Sequence, residues 1–146
     1  MRTRVAALVL TVALAAGVPA SPAGAQTTVL HTTLTTEQVP TGGDPTGSGF
    51  AVVVIDASAG RLCAVVYSRQ AGPATAVHIH EGPVGDLGPH AVDLNDPVNG
   101  GGAAVSSGCY GAPGPVLADI AANPAGYYVN VHTAAYPAGA VRGQPG

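Results

Sequence analysis

The sequence has no lysine and no tryptophan, a single phenylalanine and a single methionine, and only 9% of its 146 residues are charged. Five arginines face eight acidic residues, for a formal net charge of −3. That balance excludes a nucleic-acid binder working by counterion release, which needs a basic stripe. It equally excludes a polybasic membrane anchor. No Gly-x-Ser-x-Gly elbow, His-Glu-x-x-His helix or Walker loop is present, so the common hydrolase and nucleotide-binding templates have nothing to stand on. Glu81 and Asp86 are a carboxylate pair without sugar-stacking aromatics beside them, which leaves glycoside hydrolysis unsupported. What the chain does have is 47% hydrophobic residues, 21 glycines, 13 prolines and a mean hydropathy of +0.32. Enough apolar surface exists to offset chain entropy, so the composition describes one small, turn-rich, folded domain.

The first 25 residues read as a secretory signal. Arg2 and Arg4 precede an apolar run over residues 5–18, and Ala23-Gly24-Ala25 supplies a small-residue cleavage pattern before Gln26. The run is shorter than the roughly 20 residues a spanning helix needs, and no second one follows, so no transmembrane anchor is expected after cleavage. The domain proper is then residues 26–146, exported, with Arg61, Arg69 and Arg142 as its only cations. Export gives meaning to Cys63 and Cys109, the only two cysteines. An oxidising compartment favours a disulfide between them, and the absence of Cys-x-x-Cys argues against thiol redox chemistry.

Along residues 26–146, period-two patterning and turn residues recur while helical periodicity is nearly absent. Strands are expected at 29–35, 49–56, 61–68, 75–81, 91–95, a segment ending near 109, 127–133 and 140–144. A helix of about two turns is expected at 116–122, stopped by Asn123-Pro124. Seven or eight short strands separated by turns make an all-β sandwich or Greek-key barrel.

Strand parity singles out one set of residues. In His78-Ile79-His80 the two imidazoles share a face, with Val77 and Ile79 turned to the core. The same alternation sends Val129 and Val131 inward and Tyr128, Asn130 and His132 outward. If the two strands are near neighbours, His78, His80 and His132 converge. Three neutral imidazoles suit copper or zinc, with a fourth position left for water or substrate. Glu81, Asp86, Asn130 and Arg142 are candidates to support these ligands. His31 and His90 have no partner by spacing and read as structural.

Several segments resemble the CHRD (chordin) domain family: Glu37-Gln38-Val39-Pro40, Gly47-Ser48-Gly49, Ala76 to Gly82, Gly88-Pro89, Tyr127 to Thr133, Pro137-Ala138-Gly139 and Arg142-Gly143-Gln144. The resemblance spans about residues 29–144. It implies an immunoglobulin-like or superoxide-dismutase-like Greek-key β-sandwich with one short helix, of the kind found in animal chordins and in secreted microbial proteins. Growth-factor binding in chordin belongs to separate cysteine-rich modules and does not carry over. The His-x-His segment also resembles the copper-ligand strand of copper/zinc superoxide dismutases. That pattern goes on to a bridging histidine and further zinc ligands, and here only His90 lies in the interval.

Three functions follow as expectations. The first is a secreted, non-catalytic binding or structural module with an extracellular or envelope partner. The second is a copper- or zinc-binding module built on His78, His80 and His132. The third is a copper-dependent redox enzyme in which Arg142 steers a small anion.

Overall fold

The structure, a computed structural model, describes residues 26–70, 72–94 and 97–146. The reading of residues 1–25 as a secretory signal therefore lies outside the described residues. Nine strands, one helix and one 3-10 turn follow in order: β1 (Thr27–Thr35), β2 (Ser48–Asp56), β3 (Arg61–Arg69), β4 (Ala74–Glu81), β5 (His90–Asp93), β6 (Val98–Gly100), β7 (Ala103–Gly111), α1 (Gly114–Ala122), the 3-10 turn Pro124–Gly126, β8 (Tyr127–Thr133) and β9 (Val141–Gly143).

All nine strands belong to one antiparallel sheet in the order β5-β4-β8-β9-β1-β2-β3-β7-β6. Its two halves meet at a narrow seam, where β1 and β9 share the single pair Thr35↔Arg142. At the far ends the sheet curls back on itself: Asn99 in β6 accepts from the Ala74 amide of β4 at 2.7 Å and donates to its carbonyl at 2.9 Å. The expected sandwich is thus present as two facing halves of one curled sheet.

Alternation accounts for the interior. Leu30 and Leu34 of β1, Val53 and Ile55 of β2, Leu62 and Val66 of β3, Val77 and Ile79 of β4, and Val129 and Val131 of β8 all enter one core. Leu117 and Ile120 of α1 join them.

The helix begins two residues earlier than the periodicity predicts, because Pro115 fits a first-turn position where its missing N–H costs nothing. β6 is an addition that three exposed residues did not advertise. β5 begins one residue earlier than expected, at His90, and the expected end at Asn95 lies outside the described residues. β9 is shorter than expected, ending at Gly143. Cys63 and Cys109 sit directly opposite one another in β3 and β7, bonded at 2.00 Å with their Cα atoms 3.9 Å apart. Among the described residues, no helix is long and apolar enough to cross a membrane.

Candidate metal centre

The site lies on the outer face of the β5-β4-β8-β9 half. β4 contributes His78 and His80 with the parity expected, since Val77 and Ile79 are in the core. On one side β8 places Asn130 opposite His78, Tyr128 opposite His80 and His132 opposite Ala76. On the other side β5 places Asp93 opposite His78 and His90 opposite His80. The sheet register alone therefore gathers four imidazoles and a carboxylate.

His78 Nδ1 lies 3.1 Å from His132 Nε2. The His80 ring centroid is 5.5 Å from those of both His78 and His132. One ring nitrogen from each of the three lies within 4.8 Å of the others. His90, read as structural from spacing, belongs to the cluster, with its ring centroid 3.9 Å from His78 and 4.6 Å from His80. Its place was hidden because spacing along the chain does not reveal that β5 folds back against β4. Asp93, also missed, has Oδ1 at 3.3 Å from His90 Nδ1 and 3.6 Å from His78 Nε2. His31 pairs with Val52 in the other half of the sheet and takes no part.

Backbone carbonyls settle which nitrogens are free. His80 Nδ1–H donates to the Gly88 carbonyl at 2.9 Å, and His132 Nδ1–H donates to the Pro137 carbonyl at 3.0 Å. A carbonyl only accepts, so each ring carries its proton on Nδ1 and presents a bare Nε2 to the cluster. His80 Nε2 is buried with no hydrogen-bond partner in a side chain only 6% exposed. Burial pushes all three pKa values down. His78 falls to about 4, with the neighbouring His90, His132 and His80 adding to the effect and Asp93 opposing it. His80 and His132 are lowered by burial against the opposing pull of the carbonyls they bond. All three rings are therefore neutral and available as ligands at neutral pH.

Strand parity leads one to expect this outer face in water, but much of it is covered. The loop 82–89 folds over it, and Tyr128, Asn130 and Arg142 are fully buried beneath. Arg142 Nη1 donates to the Asp86 carbonyl at 2.7 Å and Nη2 to the Pro83 carbonyl at 3.2 Å. Its guanidinium carbon sits 3.8 Å from the centroid of the Tyr128 ring. Tyr128, which strand alternation sends outward, stacks on His80 at 5.0 Å and accepts the Gly88 amide at 3.1 Å.

Arg142 thus ties down the loop that supplies the His80 carbonyl, and it is not placed to steer an anion from solvent. Asn130 plays a parallel part, donating to the Ala138 carbonyl at 3.1 Å in the turn that carries Pro137. Asp86 contributes its backbone carbonyl to Arg142. Glu81 is exposed at the end of β4, on the opposite parity to the histidines, and no hydrogen bond joins it to them among the described residues.

A family model described as the CHRD domain matches residues 30–144. No curated protein and no solved structure gives a significant match.

Proposed function

The chain belongs to the CHRD domain family, and from that premise we propose that it is an extracellular, non-catalytic module that binds one copper or zinc ion through His78, His80 and His132. CHRD domains are extracellular, and the disulfide and the lack of a spanning helix among the described residues accord with that setting.

The observation that carries the reading is the buried Nε2 of His80, partnerless and facing two other neutral imidazoles. A buried polar atom without a partner costs about 1–3 kcal/mol unless something satisfies it. One ring nitrogen each of His78, His80 and His132 lies within 4.8 Å of the other two, close enough for a single ion to satisfy all three. With His132 protonated on Nδ1, it is His78 Nδ1–H that donates to His132 Nε2. Shifting that proton to Nε2, which faces the Asp93 carboxylate at 3.6 Å, frees Nδ1 as the third donor. The three nitrogens match the chemistry of both metals, and copper(II) is expected to bind more tightly by the general order of divalent affinities.

Calorimetric titration of the purified, oxidised chain with copper(II) and with zinc(II) tests the proposal. Tight one-to-one binding that weakens at least about 100-fold in both His80→Ala and His132→Ala is the expected result. Binding no tighter than about 10 μM, or binding unchanged in the two variants, overturns it.

A further inference from the structure

The other half of the sheet has an outer face of different character. Strands β1, β2, β3 and β7 are nine residues each and lie side by side in full register. Their alternate residues fill the core, and the remainder point away from it. Val29, Phe50, Val52, Val65 and Val105 are 37–61% exposed there. Five of the eight large hydrophobic side chains exposed among the described residues therefore fall on this one face. Phe50 stacks on Tyr67 at 5.6 Å, and the Cys63–Cys109 disulfide bridges neighbouring strands on the same side. Aspartate and arginine are confined to the ends, with Asp56 paired in register to Arg61 at one and Arg69 at the other, while the exposed His31 of β1 lies between them opposite Val52. Monomeric domains rarely leave a contiguous apolar area of this kind in water.

We propose that this face seats a second copy of the chain, the two sheets packing face to face in a two-fold dimer. Four nine-residue strands at about 4.8 Å spacing and about 3.3 Å per residue present roughly 600 Å². Two such faces bury about 1,200 Å², the lower end of what specific stable interfaces use. The occupant must be uncharged over its centre, and this chain carries such a surface. Sheets stack at about 10 Å with alternating side chains interdigitating, and valine rows suit that packing. A two-fold axis along the strands between β2 and β3 superposes Val52 on Val65 of the partner subunit. The same axis sets Asp56 over Arg61 of the partner subunit, so the end charges are complementary. The metal site lies on the other half of the sheet and is left open.

Sedimentation velocity of the purified chain over a concentration series tests the inference, with Val65→Glu and Val105→Glu run beside it. The expected result is a two-chain mass that grows in with concentration and falls two-fold, to the single-chain mass, in each variant. Unchanged thermal unfolding in at least one variant shows that the loss comes from the surface and not from the fold. A single-chain mass at every concentration overturns the proposal, as does a dimer that survives both substitutions. A single-chain species that binds neutral phospholipid vesicles also overturns it and assigns the face to lipid.

Discussion

At the scale of single residues, the capacity to hold an ion turns on which ring nitrogen holds a proton. Carbonyls at Gly88 and Pro137 fix His80 and His132, while Asp93 sits where it can do the same for His78. Asp93→Ala is therefore expected to weaken metal binding about 10-fold or more, because it removes the acceptor that favours the ligating tautomer. Titration calorimetry on that variant checks it.

Protons and a bound ion would compete for the same nitrogens. The folded-state pKa of His78, about 4, lies below its ordinary 6.5, so the unfolded chain takes up its proton first as pH falls. The stability linked to His78 is complete above about pH 6.5 and is lost as pH falls toward about 4. Thermal melts of the metal-free chain should show a steeper fall across that window than melts of His78→Gln. Parity within strands made His78, His80 and His132 legible in the sequence. His90 and Asp93 were not, because their place depends on the register between β4 and β5, which no local pattern encodes.

At the scale of elements, the loop 82–89 decides whether the three nitrogens stay aimed. It approaches β4 so closely that a Cβ on Gly88 would fall 1.4 Å from the Glu81 carbonyl oxygen. It is held by the Gly88 amide on Tyr128 and by the two Arg142 contacts. Arg142→Met keeps the volume but abandons the Asp86 and Pro83 carbonyls. It is expected to speed hydrogen exchange at the Gly88 amide and to weaken metal binding about 10- to 100-fold. Unaltered exchange at Gly88 would show that the loop holds without the arginine. The sequence pointed to Arg142 and Asn130 as supports, but not to how they act. Strand alternation says which side a residue faces; it does not say that a glycine- and proline-rich segment returns to cover that side.

At the scale of the whole molecule, one core serves both halves of the sheet and a disulfide ties β3 to β7. The bond closes a separation of 46 residues, for which loop-closure entropy gives a stabilisation of about 4 kcal/mol. Denaturant titration of the Cys63→Ala/Cys109→Ala pair should show a loss of about 2–5 kcal/mol. The all-β class and most strand positions follow from period-two patterning and turn residues, and the pairing of the cysteines from their being the only two. The closure of the sheet through Asn99 and the single-pair seam at Thr35 and Arg142 do not, since both depend on how distant strands meet.

This architecture holds the histidines on paired strands and fixes their tautomers from loops that the core anchors. X-ray absorption of the zinc-loaded chain tests that arrangement most directly. Three imidazole nitrogens are expected at about 2.0–2.1 Å, with one imidazole lost in His132→Ala. A coordination shell of oxygen alone, or one that His132→Ala leaves unchanged, would contradict it.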